Sequence, residues 1–180
     1  MWREGAGRVK CTNMEQKQEQ KIDIEEVMRK KKILFINLCK GRLGEENSSF
    51  LGAMFITKIK QAGMARAGMP EESRTDFYLY VDEFHNLVTE TFENILSEAR
   101  KYGLCLTVAH QYAAQLIPRV QAAVLGNTGT IIIFRVGGED AVKLEPEMDP
   151  VFKVKDMINL GMQEFYIKMT IDGETYDPFS

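Results

Sequence analysis

Two adjacent carboxylates close an apolar run in Phe77-Tyr78-Leu79-Tyr80-Val81-Asp82-Glu83. Five apolar or aromatic residues in succession predict a strand buried on both faces, as in a parallel sheet. Such a strand delivers its acids to the carboxyl edge of the sheet, where open α/β sheets bind ligands. The chemistry this arrangement serves is the holding of a magnesium–nucleotide and the activation of a water. Asp82 would orient the water shell of the metal, and Glu83 would take a proton from the attacking water. That is the layout of a Walker B strand. Acids also follow strands where the chain merely turns into solvent before a helix, and this segment alone fits both readings.

The neighbouring elements favour the first. Residues 89–102 place Phe92, Ile95, Leu96 and Ala99 on one helical face, and Gly103 stands where a helix-terminating glycine belongs. A second apolar run, Leu104-Cys105-Leu106-Thr107-Val108-Ala109, ends in His110-Gln111. Strand, helix and strand with short joints make a βαβ unit of parallel strands. Asp82, Glu83 and Gln111 are then expected on one edge, with Gln111 able to contact a phosphate or position the water.

Upstream, residues 1–20 are polar without apolar period and read as a flexible arm, leaving 21–180 as the folded part. Asp23 with Glu26 three residues on has capping-box spacing, with Ile22 and Val27 as its staple. Arg29-Lys30-Lys31-Lys32 suits the end of that helix. Ile33-Leu34-Phe35-Ile36-Asn37-Leu38-Cys39 predicts another buried strand. A long helix follows with Leu51, Met54, Phe55, Ile59 and Ala62 on one face, frayed by Gly63 and Gly68 and closed by Pro70. Met54, Met64 and Met69 read as core filling. After a loop or short helix through Pro118, Val120 and Val124, residues 130–136 predict a third strand. Residues 139–148 predict a helix up to Pro146. In the tail, Phe165, Ile167, Met169 and Ile171 alternate with polar residues, and Asp172-Gly173 supplies a two-residue hairpin turn. The fold class is α/β, with a mostly parallel sheet and a C-terminal antiparallel hairpin.

Composition sets outer bounds. The 180 residues are 44% apolar, enough for one globular domain with a substantial core. A net charge of −3 gives no global basic field, so DNA contact would rest on local loops or the channel of an assembly. Cys11, Cys39 and Cys105 are odd in number and widely spaced, and the last two lie in or beside apolar strands. Reduced buried thiols in a cytosolic setting are expected, with neither a disulfide framework nor a zinc site. No apolar run approaches the roughly 20 residues that span a bilayer, and the N-terminus is not a signal peptide.

Several of these segments resemble the conjugative coupling-protein branch, TraG/TraD-like, of the HerA–FtsK ATPases. The likeness runs through Ile33 to Asn37 with Lys40-Gly41-Arg42-Leu43-Gly44-Glu45-Glu46-Asn47-Ser48, through Tyr78 to Asn86, and through Leu96 to Tyr102. Leu106-Thr107-Val108-Ala109-His110-Gln111-Tyr112 and Gly126 to Gly137 extend it over about residues 22–180. The resemblance implies a RecA-like, P-loop NTPase core of three layers, assembled as a homo-hexamer that moves DNA at the expense of ATP and magnesium. Relaxase or type IV secretion components would be its partners. The longer protein would work in the cytoplasm, any anchor to the inner face of the cell membrane lying outside these residues. By position, Asp82 is implied as the Walker B acid on magnesium, through water. Glu83 is the base and Gln111 the sensor, with Arg100 an arginine finger for a neighbouring subunit, a group worth about a thousand-fold in rate. Arg100 with Lys101 also suits the helix dipole, and Arg135 shares the ambiguity. His85 and Asn86 would polarise the acids or cap the loop; His110 is a neighbour of Gln111, not a ligand.

The departure from the family is at the phosphate cradle. Gly-x-x-x-x-Gly-Lys-Ser/Thr occurs nowhere, and Gly41-Arg42-Leu43-Gly44 is followed by acids that repel phosphate. The segment therefore corresponds to the C-terminal half of such an ATPase and is expected to bind nucleotide weakly by itself. Two other readings stand beside it. One is a non-catalytic remnant acting as an assembly module, and the other a HerA-type DNA-repair translocase, which differs in partner. A metal-dependent hydrolase lacks further acids or histidines at ligand spacing.

Overall fold

Side-chain capping starts the first described element. In the computed structural model, which describes residues 22–88 and 90–180, the Asp23 carboxylate accepts the Glu26 N–H at 3.1 Å and opens helix α1 (Ile24–Arg29). Lys30 and Lys32 then fold back on Glu26 at 2.9 and 3.0 Å, so the basic run closes α1 as its sequence suggests. The arm at 1–20 and Cys11 lie outside the described residues.

Two compact units follow, the first ending at Ala109 and the second running from His110 to Ser180. In the first, a single turn α2 (Lys40–Leu43) leads through Gly44, at φ +79°, into the long helix α3 (Glu45–Met64). Strand β1 (Phe77–Val81), helix α4 (Glu90–Glu98) and strand β2 (Leu104–Val108) form the expected parallel unit, in register from Phe77 opposite Leu104 to Val81 opposite Val108. Between α4 and β2 the chain tightens into a 3₁₀ turn, Ala99–Tyr102, released by Gly103 at φ +66°. Only a residue without Cβ adopts that conformation freely. Ile24, Met28, Ile59, Ala62, Ala99 and Leu104 form the core, with Phe77 and Leu79 packed on it.

Four expectations for this unit need correction. Strand β1 is covered on one face only: Phe77 and Leu79 turn inward and Val81 is buried, whereas Tyr78 and Tyr80 are 60% and 71% exposed. Residues 33–39 are not a buried strand. Among the described residues they join no ladder, β1 pairing only with β2, and Ile33 and Phe35 stand 64% and 67% exposed while Leu34 reaches the core. The buried residues of α3 are Ser48, Gly52, Ile56, Ile59, Ala62 and Gly63, so Ile59 and Ala62 lie inward as expected, whereas Leu51 and Phe55 are half-buried and Met54, Met64 and Met69 are all exposed. Gly52 and Gly63 permit this, since a Cβ on either would strike the tips of Leu87 or Leu104. Cys39 is exposed, and Cys105 is half-buried with its thiol pushed up by burial and then by the Asp76 charge.

In the second unit helix α5 (Pro118–Asn127) precedes strand β3 (Thr130–Ile133), helix α6 (Gly138–Met148), helix α7 (Val154–Ile158) and strands β4 (Tyr166–Ile171) and β5 (Glu174–Thr175). Strand β3 does not extend a parallel sheet: it pairs antiparallel with β4, which pairs antiparallel with β5. The turn Asp172-Gly173 has φ of +52° and +86°, as a type I′ hairpin requires. Helix α6 continues through Pro146 to Met148 instead of stopping before the proline. Met148, Met157, Ala141 and Ile133 are the buried core, and Phe152 stacks on Tyr166 at 3.6 Å. Among the described residues no helix is long and apolar enough to cross a membrane.

Candidate functional site

Asp82 and Glu83 leave the carboxyl end of β1, as their sequence position demands. The ladder runs one step past the regular strands: the Ala109 N–H donates to the Val81 carbonyl at 2.9 Å, and the Phe84 N–H to the Ala109 carbonyl at 3.1 Å. The acids are therefore gripped from both sides by backbone bonds at the strand edge. Asp82 is exposed and its Oδ1 accepts the Glu83 N–H at 2.9 Å. Glu83 adopts a left-handed backbone, φ +49° and ψ +41°, and starts the 3₁₀ turn Phe84–Leu87. A β-carbon disfavours that region by about 1 kcal/mol or more. The turn is held in place because Phe84 is fully buried and stacks on Phe92 of α4, centroids 5.4 Å apart.

Asn86 closes the turn. Its backbone N–H and its Nδ2 both donate to the Glu83 carbonyl at 3.1 Å, so loop capping is its role. Its Oδ1 accepts from Lys40 Nζ at 2.8 Å, and Lys40 also reaches Glu45 at 3.1 Å. The side chain of His85 is mostly buried, with Nδ1 3.3 Å from Glu83 Oε2 but without hydrogen-bond alignment. A cation, a mostly buried imidazole and two acids thus converge on one turn. Lys40 is the member that residue-by-residue reading missed. The signal for it was its place at the head of the Lys40-Gly41-Arg42-Leu43-Gly44 segment, and only folding brings the two segments together.

Arg100 is exposed in the 3₁₀ turn before Gly103. Because β1 and β2 are parallel and Phe77 donates to the Gly103 carbonyl at 2.8 Å, Arg100 lies at the end of the strand pair opposite the acids. Gln111 is exposed and His110 half-buried, and both open the second unit just beyond β2. Arg135 lies past the end of β3 rather than on it. A second feature not anticipated from sequence is Asp140 in the first turn of α6, where it is 5% exposed. Its two oxygens accept the N–H groups of Ala113 and Ala114 at 3.0 and 3.1 Å. Among the described residues no group of three or more His, Cys, Asp or Glu side chains could cage a metal ion.

Fold and site define a mixed α/β protein in which a parallel strand pair presents two acids at its carboxyl edge. Residues 76–144 match the family described as the TraM recognition site of TraD and TraG. That stretch, less than half of the chain, is a TraG/TraD-like coupling-protein region, and it contains Asp82, Glu83, Arg100, Gln111, Arg135 and Asp140. A comparison with curated proteins found no match.

Proposed function

We propose that this chain supplies the acid-bearing edge of an ATP-driven, DNA-translocating coupling ATPase of conjugation or type IV secretion. The observation that carries the reading is Asp82-Glu83 at the carboxyl end of β1, inside the TraG/TraD-like stretch. In this reading Asp82 holds magnesium through water, Glu83 accepts the proton of the attacking water and Gln111 senses the nucleotide. The residues suit that division. Asp82 is exposed, and magnesium takes one or two carboxylates together with substrate phosphates rather than a cage of protein ligands. ATP would bring the phosphates, and a P-loop supplied elsewhere in the complete protein would cradle them. The position of Arg100, away from its own acids, suits action on a neighbouring subunit's site in a homo-hexamer. DNA and a TraM-like relaxosome component are the partners this reading implies, at the cytoplasmic face of the membrane.

The test joins this segment to a P-loop-bearing upstream half. Glu83→Gln is expected to lower ATP turnover at least about a hundred-fold while leaving nucleotide binding in place. Unchanged turnover would remove Glu83 as the base. A second reading, a non-catalytic assembly module, draws support from the missing phosphate cradle and from the open tyrosine face of β1. It would prevail if the joined protein bound partners yet turned over no ATP.

A further inference from the structure

We propose that Asp140 is the positioning residue that sets the backbone of the Gln111 loop; the inference rests on the reading of Gln111 as the nucleotide sensor. An acid at the third position of a helix ordinarily reaches back to the N–H of its own N-cap. The N-cap of α6 is Gly137, and Asp140 instead turns outward into its unit, with both carboxylate oxygens on the N–H groups of Ala113 and Ala114. Those are the leading N–H groups of the 3₁₀ turn Ala113–Gln115, donors that its own hydrogen bonds leave unmatched. Ala113 is itself buried, so water cannot replace the carboxylate there without opening the unit.

The consequence falls on the residues just ahead. Tyr112 is extended, at φ −133° and ψ 121°, and leads directly into the clamped turn. Gln111 is thus separated by one extended residue from a backbone held by two charge-assisted bonds. The other end of the clamp is rigid as well, since Ala141 beside Asp140 is fully buried in the core of the unit. Asp140 touches no phosphate in this scheme. It fixes where the sensor starts.

Asp140→Asn keeps the shape and one acceptor but sets an amide donor against one of the two N–H groups. In the 180-residue chain, amide hydrogen exchange at Ala113 and Ala114 is expected to quicken at least about ten-fold, with the β3–β4 ladder unchanged. Where Asp140→Asn fails to fold, as judged by its melting curve, Ala113→Pro removes one donor from the other side and should quicken exchange at Ala114. The extended Tyr112 is compatible with a following proline. In the protein joined to its P-loop half, Asp140→Asn should lower kcat about ten-fold at unchanged KM for ATP. Adding Gln111→Ala to it should cost little more than Gln111→Ala alone. Exchange that stays slow, or losses that simply multiply, would overturn the inference. If Gln111→Ala alone leaves kcat unchanged, the sensor reading fails, and exchange at Ala113 and Ala114 still decides whether Asp140 holds the loop.

Discussion

Glu83 is asked for two things that compete. Its side chain stands in a turn shared with Asn86, His85 and Lys40, while its backbone sits in a region that a β-carbon disfavours. Glycine has no such conflict, so Glu83→Gly is expected to raise unfolding stability by up to about 1 kcal/mol, read from the denaturant midpoint at constant slope. The gain would come with loss of ATP turnover in the joined protein. A variant that gained nothing in stability would show that the left-handed turn is held without strain. Adjacent acids were plain in the sequence. The positive φ was not, because it arises where the ladder holds the Phe84 N–H on Ala109, the Phe84 ring stacks on Phe92, and the chain turns at Glu83 just ahead of them.

Helix α1 shows an element whose stability is written into its charges. Hydrogen bonds from Lys30 and then Lys32, together with their charges, bring the Glu26 carboxyl down to about 2 from its ordinary 4.5. A folded-state value below the unfolded one favours the native state at pH above about 4.5, and the contribution fades as pH falls from about 5 toward 2. The melting temperature of Glu26→Gln should therefore sit below wild type by a constant amount above pH 5, and the gap should close toward pH 2. A gap independent of pH would mean that Glu26 works through packing. Among elements, α1, the β1–α4–β2 unit and the terminal hairpin were legible because each is specified by local signals: a cap, a glycine stop, a two-residue turn. The segment 33–39 and the partner of β3 were not. An apolar run states that a surface will be covered and says nothing about which strand will cover it.

At the scale of the whole chain, the sequence carries no Gly-x-x-x-x-Gly-Lys-Ser/Thr pattern to set beside the acids of β1. Titration of the 180 residues with a fluorescent ATP analogue and magnesium is expected to show no tight binding, since the acids at the edge of β1 have no P-loop beside them in the sequence. Tight, magnesium-dependent binding would mean that another backbone cradle exists and would change the proposed division of labour. The open tyrosine face of β1 points the same way, because parallel strands are ordinarily covered on both sides.

By itself the sequence determined what is local: which residues form the parallel pair, that two acids follow β1, and that Gly103 and Asp172-Gly173 end or reverse their segments. Tertiary structure alone decided that Lys40 would meet Asn86, that β3 would join the hairpin and that Asp140 would bind the amides after Tyr112. Periodicity and turn chemistry act over a few residues and are read directly. Contacts between residues tens of positions apart depend on which buried faces find each other, and that choice is made only when the chain packs.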